Sequence, residues 1–285
     1  MNEGPKIKIH VLRCGSMTVS PLVPYGNGRV SAGNAAAMIF APLKGRFTLP
    51  VFAYLIEHPK GRILVDTGWR RDISPAGVYD AEAVKSVLPA HLASLYHPVL
   101  PEGEAIDEQL AVLGLKPKDI DCVVLSHLDP DHVCGLPHLN GVKRIIAPED
   151  EYFWSCRAVY KLRQPWDLWI DYPIERLFYR GSPLGSNRWA IDLFGDESVM
   201  LVNLPGHTDG ICGVLVRNGK KFVLLTSDAA FSKRNWQELI VPGFGFDAQR
   251  QMNALKWIRQ MSEDPGCVGI YASHDPSVVP HSIEF

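Results

Sequence analysis

Long apolar runs are missing from this 285-residue chain. No stretch approaches 18 uninterrupted apolar residues, so we expect no transmembrane helix. The N-terminal segment MNEGPKIKIHVLRCGS also lacks the apolar core of a signal peptide. Both absences favour a cytoplasmic protein.

Paired cysteines are missing as well. No C-x-x-C pair occurs, which excludes a zinc knuckle and a thioredoxin-like redox motif. In a chain of this length, scattered cysteines are typical of buried or free thiols in a reducing compartment. The six are Cys14, Cys122, Cys134, Cys156, Cys212 and Cys267.

Charge of one sign is also scarce. The formal net charge is −2, and no run of Lys or Arg reaches five or six residues. We therefore expect neither a nucleic-acid partner nor an anionic membrane partner. The composition, 46% hydrophobic and 21% charged, is that of an ordinary globular protein. Because no linker, repeat or low-complexity tract interrupts the chain, we expect a single domain over residues 1–285.

Short strands followed by helices fill most of the chain. Alternating or continuous apolar runs predict strands at 6–13, 49–57, 62–65, 121–126, 198–203, 212–216, 221–225 and 268–271. Apolar residues at helical spacing predict helices at 104–113 and 248–261, and Asn218-Gly219 predicts a hairpin turn. Residues 20–50, rich in Pro, Gly, Asn and Ala, look like an extended excursion. Two strand-rich halves indicate stacked sheets with helices on their outer faces.

Residues 151–190 are unusually aromatic. Tyr152, Phe153, Trp154, Tyr160, Trp166, Trp169, Tyr172 and Trp189 all fall in this stretch. It is either a helical subcore or an aromatic insert that forms a lid over a pocket, and the two interpretations are compatible.

The segment His127-Leu128-Asp129-Pro130-Asp131-His132 carries the strongest chemical signal. Four of its six residues have metal-binding side chains, and they follow a predicted buried strand, where ligands gather in layered α/β folds. His127 and Asp129 can aim at one point from an extended turn, which Pro130 favours by restricting the residue before it. Asp131 and His132 can aim at a second point nearby. Taken alone, such a segment could also be a solvated surface loop.

Three more candidate ligands follow other predicted strands. His207 lies in Pro-Gly-His-Thr-Asp-Gly, Asp228 follows the apolar run 222–227, and His274 follows residues 270–273. Packing does not explain such placement, because a buried carboxylate is strongly disfavoured without a partner. The remaining histidines lack this placement, and we expect them to be ordinary surface or core residues; they are His10, His58, His91, His97, His138 and His281.

These motifs resemble the metallo-β-lactamase superfamily and, within it, the N-acyl-homoserine lactonases that quench quorum sensing. The matching elements are Asp66-Thr67-Gly68, SHLDPDHVCG, LPGHTDG, LLTSDAAFSKRNW and Ser273-His274, in the same order. The resemblance spans roughly residues 6–280 and is weak at 20–48 and 151–195. It implies an α/β fold, the αββα sandwich, in which two mixed sheets carry helices on their outer faces and metals lie at the open edge.

The resemblance also implies a binuclear centre. His127, Asp129 and His207 would hold one divalent ion, and Asp131, His132 and His274 the other. Asp228 would bridge them, and Asp66 would be a structural acid beneath the site. The implied reaction is attack by a metal-bridging hydroxide on a lactone or ester carbonyl, with Asp131 helping to move the proton to the leaving oxygen. Such a centre brings the pKa of bound water from 15.7 toward ~7.

Asp129 stands where the family block usually has a histidine. Two divalent ions, three aspartates and a hydroxide leave a net charge near zero, instead of about +1 with histidine. A third carboxylate also favours harder ions. Zinc is the expected metal, with manganese or iron as alternatives. Flavodiiron proteins carry an acid at this position too, but this chain lacks their flavin domain.

Phe231 stands where the lactonases carry a tyrosine that contacts the substrate. Either another group supplies this hydroxyl, with Tyr25, Tyr152 and Tyr160 as candidates, or the substrate differs. The alternatives to a lactonase are a superfamily hydrolase of another bond (phosphodiester, thioester or β-lactam) and a non-enzymatic, metal-stabilised binding protein. We expect a small-molecule partner, and residues 20–48 could mediate a homodimer.

Overall fold

The strands form two sheets in the part of the chain that the computed structural model describes, residues 6–28 and 32–285. Parallel and antiparallel pairs occur in both sheets. Across the first sheet the order is β14 (His281–Glu284), β1 (Lys8–Val19), β2 (Phe47–His58), β3 (Gly61–Val65), β5 (Cys122–Val124), β6 (Ile145–Pro148) and β7 (Ile174–Leu177), and β4 (Pro98–Val99) pairs with β1. Across the second sheet it is β13 (Cys267–Tyr271), β12 (Lys221–Leu225), β11 (Cys212–Asn218), β10 (Val199–Asn203), β9 (Trp189–Asp192) and β8 (Arg180–Gly181).

Side chains from the facing sides of the two sheets share one apolar core. Phe52 and Tyr54 of β2 belong to the same buried cluster as Leu201 of β10 and Val214 of β11. Successive strand residues point to opposite faces, so the alternate residues of each strand are directed outward. The sheets are therefore stacked face to face.

Helices cover the two outward faces. The outer side of the first sheet packs with α3 (Ala81–Val87), α4 (Ala90–Tyr96) and α5 (Ile106–Val112). The outer side of the second sheet packs with α8 (Lys233–Glu238) and α9 (Ala248–Ser262). The Asp247 side chain begins α9 by accepting hydrogen bonds from the backbone N–H groups of Gln249 and Arg250. The expected αββα arrangement, two mixed sheets with helices outside, is confirmed.

The predicted strands and helices are all present, with shifted ends. Their short apolar runs are buried on both faces, as in β5 and β10. The β11–β12 hairpin is also present, but Asn218 pairs with Lys221, so its two-residue turn is 219–220, one residue later than predicted. Gly219 provides the positive φ, 60°, that this turn requires.

Residues 20–50 differ from the predicted extended excursion. They contain α1 (Leu22–Tyr25) and α2 (Ala32–Phe40) before β2 begins at Phe47. The Ala-rich composition favours a helix, and Pro24 is tolerated inside the single turn of α1. The part of this prediction at 29–31 lies outside the described residues.

The aromatic-rich stretch 151–190 begins within α7 (Glu149–Ser155) and passes through short 3-10 turns at Ala158–Tyr160 and Trp166–Leu168. Its second half supplies β7, β8 and the start of β9. Trp169 is fully buried, whereas Phe153 and Trp189 are exposed. Part of the stretch is therefore subcore and part is sheet.

Across the described ranges, no helix combines the length and the apolar character needed to cross a membrane.

Candidate metal centre

The loop after β5 places the predicted ligands of the 127–132 segment. Asp129 is extended, with φ −68° and ψ 152°, and Pro130 begins the one-turn helix α6 (Pro130–Val133) directly after it. The extended residue and the following turn place the Asp129 side chain with His127 and His207, and those of Asp131 and His132 with His274. All four candidate ligands of this segment are buried.

All seven predicted ligand residues come together at one edge of the sandwich. They form a first donor group, His127, Asp129 and His207, and a second donor group, Asp131, His132 and His274; His127, His132 and Asp228 form a third set between them. Within each of these sets the candidate ligand atoms lie within 4.8 Å of one another. The side chain of Asp228 lies between the two donor groups.

The distances between donor atoms are those of a metal site. In the first donor group, Asp129 Oδ2 lies 3.5 Å from His127 Nε2 and 3.2 Å from His207 Nε2. In the second donor group, Asp131 Oδ2 lies 3.6 Å from His132 Nε2 and 3.4 Å from His274 Nε2. Two ligand atoms that each lie about 2.1 Å from a tetrahedral ion are roughly 3.4 Å apart.

Asp228 faces both donor groups. Its Oδ2 lies 3.6 Å from His207 Nε2, and its Oδ1 lies 3.3 Å from His132 Nε2 and 3.0 Å from His274 Nε2. It is the side chain whose two oxygens could bridge two ions.

Several buried donor atoms lack a hydrogen-bond partner within the described ranges. They are His127 Nε2, His132 Nε2, Asp131 Oδ2 and Asp228 Oδ1. A buried polar atom left unsatisfied costs about 1–3 kcal/mol. These four atoms are divided between the two donor groups and Asp228, and divalent cations held there would satisfy them.

The opposite ring nitrogens of the histidines are held by other groups. His207 Nδ1 donates to the carbonyl of Phe244 at 2.7 Å, and His274 Nδ1 donates to the carbonyl of Pro50 at 2.9 Å. A carbonyl oxygen only accepts, so Nδ1 carries the proton in both rings. In the neutral ring, the lone pair on Nε2 then faces the donor groups, which is how metal-binding histidines are usually oriented.

Asp66 lies beneath the second donor group. Its carboxylate accepts hydrogen bonds from His132 Nδ1, from the backbone N–H of Ser126 and from the Ser126 hydroxyl, each at 2.8 Å. These contacts tie the end of β3 to the loop after β5. Its φ of 61° is left-handed, a conformation that Asp and Asn adopt more readily than most residues.

Burial and mutual charge perturb the ionisation of the site. Burial, assisted by the neighbouring His132, lowers the pKa of His127 to about 4. Burial raises the pKa of Asp131. Burial also opposes ionisation of Asp228, but His274 and His132 outweigh it and hold the pKa of that carboxyl well below its usual value. The two carboxylates therefore differ in how readily they hold a proton.

Sequence reasoning missed Arg163, which extends from the aromatic-rich stretch to the first donor group. Its Nη2 lies 2.6 Å from Asp129 Oδ2 and 2.6 Å from His207 Nε2, and its Nε donates to both oxygens of Asp129 at 2.9 and 3.0 Å. The phenyl rings of Phe244 and Phe246 lie 4.3 and 4.8 Å from the guanidinium carbon. In the sequence, the aspartate at position 129 was the signal that could have indicated a basic partner, because a third buried carboxylate is stable only with a counter-charge.

Two other residues near the site were also missed. Burial, and then the charges of Asp129, Asp131 and Asp228, hold the pKa of Tyr96 well above its ordinary value, so its hydroxyl stays protonated. Glu151 is fully buried, and it accepts hydrogen bonds from the Leu128 backbone N–H, the Thr208 hydroxyl and the Gln164 amide. Neither Tyr96 nor Glu151 belongs to any of the motifs found in the sequence.

Phe231 lies against both donor groups. Its ring centroid is 5.8 Å from that of His207 and 5.0 Å from that of His274, and the residue is 2% exposed. Of the tyrosines considered as replacements for a hydroxyl here, Tyr25 bonds to Ser232, the next residue, at 2.9 Å. Tyr160 packs on Phe246, and Tyr152 packs on Trp169.

The remaining histidines make other contacts. His10 bonds to Glu57 and Ser282, His58 stacks on Phe194, His91 bonds to the Leu162 carbonyl, His97 stacks on Tyr79, His138 lies against Asp107, and His281 contacts Tyr271.

Stacked mixed sheets with outer helices and a buried His/Asp cluster at strand ends define a class of protein, the metallo-hydrolases of the αββα fold. The model of the metallo-beta-lactamase superfamily matches residues 46–269. The chain belongs to that superfamily.

Curated relatives place it beside named enzymes. It is 27% identical to the N-acyl homoserine lactonase AttM of Azorhizobium caulinodans, over 96% of this chain and 95% of the relative. It is 30% identical to an N-acyl homoserine lactonase of a Bacillus species, over 76% of this chain and 79% of the relative.

A solved structure supports the fold. The N-acyl homoserine lactone hydrolase with the product N-hexanoyl-L-homoserine bound at its catalytic metal centre superposes with a TM-score of 0.68 and 22% identity, covering 94% of this chain and 93% of that one.

Proposed function

We propose that this chain is a metal-dependent hydrolase that opens a lactone or cleaves a carboxylic ester. The observation that carries the proposal is the pair of donor groups with Asp228 between them, in which four inward-facing atoms have no hydrogen-bond partner among the described residues. The N-acyl homoserine lactonases among its relatives favour a lactone with an acyl chain.

An apolar cavity of about 470 Å³ adjoins the first donor group. Its walls include Leu92, Leu95, Leu162, Phe244 and Phe246, and Arg163 lines it as well as contacting Asp129 and His207. Apolar walls of this kind suit an acyl chain better than the charged backbone of a phosphodiester polymer.

Two divalent ions, zinc or alternatively manganese or iron, would be held by the first donor group and the second donor group with Asp228 between them. Bound there, the metal would lower the pKa of water toward ~7 and polarise the carbonyl that is attacked. The residues supply the rest of the chemistry. Asp131, in the second donor group, would move a proton to the leaving oxygen as a general acid. Asp228 stays ionised between the donor groups.

A hydroxyl is still needed near the carbonyl, because Phe231 offers no donor. We propose that Tyr96 supplies it: this buried tyrosine of α4 keeps its proton, because burial and the charges of Asp129, Asp131 and Asp228 hold its pKa well above the ordinary value. Removing one such donor typically costs on the order of 10²–10³ in rate.

A substrate panel tests the proposal. The purified chain, supplied with zinc or manganese, is assayed with N-acyl homoserine lactones of several chain lengths, simple lactones, aryl esters, a phosphodiester, a thioester and a β-lactam. We expect turnover of lactones or esters, detected by the acid that ring opening or ester cleavage releases. Asp228→Asn should abolish it, while the matched surface variant Asp167→Asn should retain it.

Two outcomes contradict the proposal. Turnover of the phosphodiester alone would indicate a hydrolase of another bond. Bound metal without turnover of any compound in the panel would indicate a metal-stabilised binding protein.

A further inference from the structure

Arg163 places a permanent positive charge inside the first donor group. Its side chain is 10% exposed and that of Asp129 is 3% exposed, so the pair is shielded from solvent. Arg163 Nη1 also donates to the His207 carbonyl at 3.1 Å. These contacts, together with the two phenyl rings, hold the guanidinium in direct hydrogen bonds with the candidate ligand atoms.

The Nε2 atom of His207 can bind either Arg163 or a metal ion, but not both. The Nδ1 proton of His207 is used by the carbonyl of Phe244, so Nε2 has one lone pair to offer. Nη2 of Arg163 lies 2.6 Å from Nε2 and competes for that lone pair. A metal ion that binds His207 must therefore displace this hydrogen bond.

Charge acts in the same direction. An ion about 2.1 Å from His207 Nε2 would lie within about 4.7 Å of Nη2, where a divalent ion and a guanidinium repel each other. The second donor group differs, because no lysine or arginine in the described ranges pairs with Asp131, His132, Asp228 or His274.

We propose that Arg163 is the resident cation of the first donor group and makes the two metal positions unequal. The second donor group, with Asp228, binds its ion tightly. The first donor group binds an ion only when the guanidinium leaves His207. Asp129 and Arg163 together are neutral, as a histidine at position 129 would be. This inference rests on the proposed metal centre but not on the identity of the substrate.

Metal titration tests the inference without using activity. The chain is stripped with a chelator and titrated with zinc and, separately, manganese, while calorimetry and native mass spectrometry count the ions. We expect one tightly bound ion per chain and a second bound at least ~100-fold more weakly. Arg163→Met, which keeps a long unbranched side chain without the charge, should tighten the second binding at least ~10-fold.

The direction in which Arg163→Met changes the metal affinity shows whether Arg163 competes with the metal or supports its binding. If Arg163 served only to orient Asp129 as a ligand, Arg163→Met would weaken metal binding about 10–100-fold, as loss of a ligand-orienting contact does. Arg157→Met is the matched control, since Arg157 belongs to the same stretch and lies over the Trp154 ring; it should change neither affinity.

Two equal affinities in the unaltered chain, or weaker second binding in Arg163→Met, would overturn the inference. If Arg163→Met fails to fold, the double variant Asp129→His with Arg163→Met, which leaves no unpaired carboxylate, provides the same measurement. A chain that binds no metal would overturn the proposed function as well. Unequal binding without turnover would overturn the proposed function alone.

Discussion

Replacing Asp66 by asparagine removes a hydrogen-bond acceptor beneath the second donor group and nearly keeps the shape of the side chain. The side chains are nearly isosteric, and asparagine also tolerates the φ of 61° at this position. The carboxylate accepts three hydrogen bonds, from His132 Nδ1 and from two groups of Ser126, whereas asparagine has a single acceptor oxygen and an amide that donates. At least one buried donor therefore loses its acceptor.

The expected loss can be estimated from these contacts. A hydrogen bond to a charged group contributes about 1.5–3 kcal/mol. For a chain of this size that corresponds to a decrease in Tm of about 3–12 °C. Because His132 is no longer oriented by a carboxylate, affinity for the metal should fall about 10–100-fold.

Thermal unfolding and metal titration of Asp66→Asn measure both effects. Asp167→Asn is the control, because Asp167 is an exposed aspartate outside the site. A variant with the Tm and metal affinity of the unaltered chain would show that Asp66 does not support His132, and the account of the second donor group would be wrong.

Three more predictions concern groups around the centre. Tyr96→Phe should lower kcat about 10²-fold without changing metal content, and adding Phe231→Tyr should restore part of it; an unchanged kcat would remove Tyr96 from the mechanism. Burial raises the pKa of Glu151 to about 7, so its protonated form stabilises the metal-free fold below about pH 4.5, and this contribution is lost as pH rises through about 7. Between about pH 4.5 and 7, the unfolding free energy of Glu151→Gln should therefore fall by a few kcal/mol less than that of the unaltered chain. If the two proteins show the same pH dependence of unfolding free energy, this prediction is wrong. Gly210→Ala should lower stability by about 1–3 kcal/mol in denaturant unfolding, because its Cβ would lie 2.0 Å from the Glu151 backbone nitrogen, whereas Gly181→Ala meets no atom within 4 Å and should show no such clash.

The sandwich and the meeting of the seven candidate ligands were predictable because they depend on local pattern. A short apolar run followed by His or Asp marks a buried strand and its end, and the fold brings such ends to one edge. The helix α2 was missed because Gly and Asn within 20–50 indicated a loop, although the alanines around them favour a helix.

The surroundings of the site were not predictable in the same way. Arg163 hydrogen-bonds to Asp129, which lies 34 positions earlier in the sequence. The charge of Asp129 also raises the pKa of Tyr96, which belongs to α4. No spacing rule links such residues, since their meeting depends on how the aromatic-rich stretch and the helices pack on the sheets. From the sequence, the aspartate at position 129 predicted a more anionic centre. In the structure, the guanidinium of Arg163 neutralises the charge of that aspartate.

Metal removal tests the central claim most directly. The chain is dialysed against a chelator, assayed for hydrolysis of a lactone and an aryl ester, and assayed again after addition of zinc or manganese, with metal content measured at each step. We predict that turnover disappears with the metal and returns with it. Full turnover in a chain shown to contain no metal would contradict the claim that the His/Asp cluster acts as a metal centre.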